Sequence, residues 1–282
     1  VSREILQEHQ LVDSIKKAAT KRMLDSLKDL KTNSFDKYKE FWNEYGLVLK
    51  EGPAEDHENK ETIASLMLFA STFSNNNSVN QSLDDYVGRM KSDQDKIYFC
   101  VADTYEAAVN SPHIEGLKSK GIEVILLTDR IDEWLMAGLM EYQGKELVNA
   151  AKEDIEKEDT SKKVSEADQD IIKKIKKHLN EKVSDVVISS RLTDSASCIV
   201  LPKHEPGAQL RKILEASGQS LGSSNPIFEI NIKHKLVKKL KDMKGKQFNA
   251  YVDFLYDYAV IAEGGSPQDP SRYLRQLDKY LS

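Results

Sequence analysis

Hydrophobic positions near the start of the chain recur at helical spacing. From Ile5 to Leu49 the pattern predicts helix, and in "LVDSIKKAATKRMLDSLKDL" a stripe of Leu11, Ile15, Ala18, Ala19, Met23 and Leu27 marks one apolar face. "SFDKYKEFWNEYG" continues as helix, with Ser34 placed to cap its start and Gly46 to stop it. A third helix is predicted over "ENKETIASLMLFASTF". The polar loop "SNNNSVNQ" follows, then a short helix capped by Ser82.

The period then changes. "KIYFCVAD" (96–103) and "IEVILLTD" (122–129) are apolar throughout, as strands are when both faces are covered. Between them lies a helical stretch with a break at Ser111-Pro112 and an end at Gly121, so a βαβ unit of a small parallel sheet is expected. From Lys152 to Asp170 nearly every residue is charged or small, which suggests a flexible linker. Beyond it a helix carries Ile171, Ile172, Ile175 and Leu179 on one face. Two strands ("VSDVVISSRL", "ASCIVLP"), a helix ("PGAQLRKILEASG"), a further strand ("IFEIN") and three closing helices complete the chain.

The predicted fold class is therefore mixed α+β and α/β. A helical segment and small βαβ unit occupy 1–155, a charged linker 156–168, and a separate α+β unit ending in helices 169–282.

Composition changes this picture little. The chain has 282 residues, 31% charged and 39% hydrophobic, with a formal net charge of −5. That mild acidity argues against a dedicated nucleic-acid binder, and the longest apolar runs are far too short to span a membrane. No secretory signal is visible, and a start at Val1 rather than Met suggests a piece of a longer protein. Cys100 and Cys198 both fall in strand-like segments and are expected as buried, reduced thiols of a cytoplasmic protein.

Candidate chemistry is thin. "VILLTD" resembles the strand-end carboxylate of a nucleotide site, but no G-x-x-x-x-G-K-[ST] loop accompanies it. Thr128 or Asp129 capping the following helix is the simpler expectation. The six histidines are scattered and form no His-x-x-x-His pair, so no metal site is predicted. The lysines of "IIKKIKKHLNEK" and "KHKLVKKLKDMKGK" sit opposite apolar stripes and are expected as solvated helix faces.

The helix after Asp129 is apolar on more sides than a core needs. Ile131, Leu135, Leu139 and Tyr142 share one face. Met136 and Met140 fall on the other, with Asp132 and Glu133 near them and Trp134 on a flank. Thioethers beside an indole, rimmed by carboxylates, suit a surface that accepts varied apolar partners. The terminal helices raise a second question. Phe254, Leu255, Tyr258 and Ile261 on one, and Tyr273, Leu274, Leu277 and Leu281 on the next, exceed what two helices bury against each other. A second copy completing a four-helix bundle is the expected answer.

Several segments together, "VSREILQ", "GLVLKEGPAED", "LDDYVGRMK", "SPHIEGLKSKGIEVILLTDRIDEW", "VVISSRLTDSASCIV", "GQSLGSSNPIFEINIKHKLVKKL" and "AEGGSPQDPSRYLRQLD", make the chain resemble the ninety-kilodalton heat-shock chaperones of the bacterial high-temperature protein G type. The resemblance covers almost the whole chain. It implies a stress-response chaperone whose ATP-binding domain would precede Val1. Arg3, with Gln7 beside it, would reach the γ-phosphate of ATP bound there with Mg²⁺, because an arginine fork stabilises phosphoryl charge. No cofactor is then expected within this chain, and alone it should not hydrolyse ATP.

The resemblance further implies that Glu133 and Trp134 belong to a client-binding surface. It extends that surface to the segment 206–217 through Leu210, Ile213 and Leu214, and makes the last two helices a dimerisation bundle. Partly unfolded client proteins and a second copy are the implied partners. Two alternatives stand beside it: a self-contained α/β enzyme using Asp129, and a purely structural dimerisation module.

Overall fold

A computed structural model describes residues 10–74, 76–152, 165–202, 205 and 225–281. Helix α1 (Gln10–Asn33) turns at Ser34 into α2 (Phe35–Glu55), and the two pack as a hairpin against α3 (Lys60–Leu66). The buried face of α1 is Leu24 and Leu27, whereas Ile15 and Met23 of the expected stripe are exposed. Periodicity identifies an apolar face but not the neighbour that covers it. Gly46 does not stop α2. It sits mid-helix, where an added Cβ would lie 2.8 Å from the Trp42 ring, so glycine lets that indole fold back along its own helix.

The third helix is shorter than its pattern suggested. After Leu66 the chain leaves it as the extended stretch "MLFAS", buried continuously to Ser71, whose end forms the edge strand β1 (Ala70–Ser71). Helix α4 (Leu83–Arg89) begins with the expected Ser82 cap, whose hydroxyl accepts from the Asp85 N–H while the Asp85 carboxylate accepts the Ser82 N–H.

The expected βαβ unit is present. β2 (Lys96–Val101) and β3 (Val124–Leu127) pair in parallel, joined through α5 (Tyr105–Val109), a 3₁₀ turn at Pro112–Ile114 and α6 (Glu115–Ser119). After helix α7 (Asp132–Gly138), a hairpin of β4 (Glu141–Tyr142) and β5 (Lys145–Asn149) completes a five-stranded sheet of order β1-β3-β2-β5-β4. Its tight turn places both Gln143 (φ 48°) and Gly144 (φ 71°) in the left-handed region, the geometry of a two-residue hairpin loop.

Alternate strand residues serve opposite faces. Ile97, Phe99, Ile125 and Leu127 join the core beneath α1–α4 and α7, and Tyr98, Cys100, Val124 and Leu126 join a smaller core beneath α5 and α6. Both faces are covered, which is why these strands read as unbroken apolar runs.

The second sheet has order β6-β8-β7, with β6 (Asp185–Ile188) parallel and β7 (Ser197–Val200) antiparallel to β8 (Ile227–Ile230). One face is covered by α8 (Glu166–Leu179), the short α9 (Lys235–Lys238), α10 (Gly245–Ala262) and α11 (Pro270–Leu281). Ser165 caps α8 by accepting from the Asp168 N–H, so the end of the expected linker is already helix. The stretch 153–164 lies outside the described residues. Among the described residues no helix is long and apolar enough to cross a membrane.

Both cysteines are buried and unpaired. Burial pushes the Cys100 thiol up to about 12 and the Cys198 thiol well above its ordinary value, so neither is poised as a thiolate nucleophile.

Candidate functional site

The helix that carries Trp134 is held from below. Leu135, Met136 and Leu139 are buried in the main core. At the first turn, Asp132 is fully buried, and its carboxylate takes an ion pair from Lys50 of α2 at 2.6 Å. Asp129 meets the same ammonium at 2.6 Å from its half-exposed position, and the Asp132 carboxylate also accepts the Asp129 N–H at 2.9 Å. Burial holds the Asp132 carboxyl above the usual range even with Lys50 opposing it. The expected cap is not formed: the helix starts after Ile131 without a side-chain cap, and the Asp132 carboxylate instead ties down the turn that precedes it. At the other end an added Cβ on Gly138 would stand 3.1 Å from Ala54 Cα, so glycine allows α7 to close onto α2.

This scaffold presents Trp134, 55% exposed, and Met140, 66% exposed. Met136 is not with them. It is 8% exposed and packs into the main core, whereas Met140 lies beyond the helix end at Gly138, so the wheel that paired the two does not hold. Glu133 diverges from Trp134 as well, lining a small cavity of about 110 Å³ with Cys100, His113, Lys152 and Glu263.

That cavity lies where the two sheets' helices meet. His113 Nε2 is 2.6 Å from Glu263 Oε1, a close contact without hydrogen-bond alignment. Beside it, the Glu115 carboxylate accepts the backbone N–H groups of Thr193, Asp194 and Ser195 at 2.7–3.1 Å, and the Ser195 hydroxyl. Arg191, buried, pairs with Glu229 at 3.1 Å and donates to the carbonyls of Ala150 and Lys152. None of these long-range partners is visible in the sequence: those of Glu115 and Arg191 lie 38 to 80 positions away, and Glu263 lies farther still from His113.

At the C-terminal end the described side chains divide. Leu255 is fully buried in its own core, and Phe254 is buried between Tyr273 (stacked, 5.5 Å) and Tyr280. These two therefore do not face outward as expected: β7, α8 and α11 cover the girth of α10 that seemed to need a second copy. Tyr258, Tyr273 and Leu277 are half-buried against the same core. Ile261 and Leu274 remain 41% and 57% exposed, and Leu281 ends α11. Arg3 and Gln7, and Leu210, Ile213 and Leu214 of the expected client segment, lie outside the described residues. Among the described residues no group of three His, Cys, Asp or Glu side chains could hold a metal ion.

Comparison with known proteins identifies the family. A family profile described as "Hsp90 protein" matches residues 1–282. The chain is 45% identical over 287 residues to the "Chaperone protein HtpG" of Legionella pneumophila (strain Lens), covering all of this chain and 46% of that protein. The proteins of the same name from Colwellia psychrerythraea and Shewanella halifaxensis are 45% and 43% identical over 290 residues, with 44% and 45% of their lengths covered. The chain thus spans less than half the length of these relatives. Matched along its whole length by the profile, and by HtpG chaperones at this identity, the chain belongs to the Hsp90 family.

Proposed function

We propose that the chain forms the client-holding and dimerising part of a cytoplasmic heat-shock chaperone. The observation that carries this is Trp134: a largely exposed indole on a helix fixed by a buried ion pair and three buried apolar side chains. An exposed aromatic on a rigid base offers apolar area at little cost in ordering, and the flexible Met140 beyond the helix adds a surface that adapts to varied partners. Family membership supports the same reading. Among the described side chains of the last two helices, Ile261 and Leu274 are the large apolar groups left exposed for a second copy. Any ATP-driven step of the whole protein enters through Arg3 and Gln7, and this chain alone is expected to be without ATPase activity.

The test is suppression of aggregation of a heat-unfolded protein by the full chain, compared with Trp134→Arg. Loss of suppression with unchanged thermal stability is expected. Undiminished suppression would overturn the client surface and favour a purely structural dimerisation module. The enzyme alternative is disfavoured by Asp129, whose carboxylate is already engaged by Lys50.

A further inference from the structure

The two lysine-rich stretches, some sixty residues apart, are brought together by the fold. They form opposite walls of one groove of about 740 Å³, between α8 and the chain from Leu240 into the first turn of α10. The floor is apolar: Leu240 and Phe248 are buried, and Ile171 and Met243 are half-buried at its base. The rim is basic, with Lys174 and Lys177 on one wall and Lys241 and Lys244 on the other. Lys241 is neutralised by Asp168 at 2.9 Å, and Lys174 lies 3.4 Å from Asp170 in an exposed, weak pair. Lys177 and Lys244 have no carboxylate partner among the described residues.

We propose that this groove docks an acidic amphipathic helix of a partner protein, at a site separate from Trp134. A floor of apolar side chains offers nothing to a phosphate backbone, whereas a helix with one apolar stripe and flanking carboxylates satisfies floor and rim together. Length fits as well. The wall from Ala167 to His178 is about 16 Å long, the rise of roughly three helical turns. Unpaired lysines on both walls complement carboxylates on both sides of such a stripe and set its register.

The experiment uses the full chain and a fluorescein-labelled peptide of about twelve residues, with leucines at helical i, i+3, i+4 spacing and glutamates elsewhere. Two controls accompany it: a scrambled peptide of the same composition without the stripe, and a single-stranded oligonucleotide of equal charge. The striped peptide should bind with micromolar affinity. Lys177→Glu/Lys244→Glu should weaken it about tenfold or more, and Trp134→Arg should leave it unchanged. Both lysines lie on the groove rim, and a matching circular dichroism spectrum confirms that the double variant is folded. Equal binding of the scrambled peptide or oligonucleotide would reduce the groove to a basic patch. Binding unaffected by the double variant, or no binding, would overturn the proposal, whatever the outcome for client holding.

Discussion

Lys50 and Asp132 meet at 2.6 Å in the interior, both almost wholly removed from water, and so tie helix α2 to the first turn of the helix that presents Trp134. Lys50→Met leaves the Asp132 carboxylate without its cation. Breaking one side of a buried pair destabilises by about 3–5 kcal/mol, whereas Lys50→Met/Asp132→Leu should recover much of that loss in denaturant titration.

The pH dependence of that variant has a definite sign. Burial already raises the Asp132 carboxyl, and Lys50 opposes the rise, so its removal raises it further. A carboxyl with a raised folded pKa contributes stability at low pH that is lost as pH increases through that value. The deficit of Lys50→Met relative to the parent should therefore shrink on moving from neutral toward mildly acidic pH. A deficit that grows on acidification would contradict the assignment.

Met136 and Met140 separate cleanly by burial. Met136→Ala removes core volume and should cost about 2–4 kcal/mol of stability. Met140→Ala, on an exposed side chain, should stay within about 0.5 kcal/mol while reducing client holding.

The C-terminal helices offer the same contrast. Leu255→Ala should destabilise the fold by about 2–5 kcal/mol, since Leu255 is fully buried within one chain. Leu274→Glu should leave stability nearly unchanged and shift sedimentation velocity from dimer to monomer. A dimer that survives it would place the interface elsewhere.

Glu115 joins the two halves of the described chain. Burial alone would raise its carboxyl, but hydrogen bonds from Ser195, Asp194 and Thr193 outweigh burial and hold it below the ordinary range. A depressed carboxylate contributes stability present above its unfolded pKa and lost as pH falls through the folded value. Glu115→Gln should accordingly lose about 1–3 kcal/mol near neutral pH and show a flatter stability profile below about pH 4. Unfolding curves at both pH values check this.

Local sequence signals by themselves determined the βαβ unit, the Ser82 cap, the break at Ser111-Pro112, the buried face of α8 and the order of the closing helices. Each is a local matter: side-chain spacing, capping chemistry and turn residues act within a few positions of one another. The same local logic misjudged what depended on distant partners. The continuous apolar run "LMLFAS" reads equally as helix or buried strand; the helix ends at Leu66, and pairing with β3 makes strand of Ala70 and Ser71. The β4–β5 hairpin escaped because its strands are short and its Gln-Gly turn is a weaker signal than Asn-Gly.

Trp134 read as lying on the flank of its helix, and its exposure was decided by the fold, which covers Leu135 and Met136 and leaves the indole open. Met136 was misplaced because the wheel shows which residues share a face but not which face the core covers, and its pairing with Met140 fails because the helix stops at Gly138. Phe254 and Leu255 were assigned to a partner copy because sequence shows how much apolar surface a helix carries, not how much its own sheet covers. Lys50 finding Asp132, Glu115 finding the 193–195 turn and two lysine-rich helices sharing one groove were decided only by tertiary structure, because burial and long-range electrostatics depend on which distant segments the chain brings together.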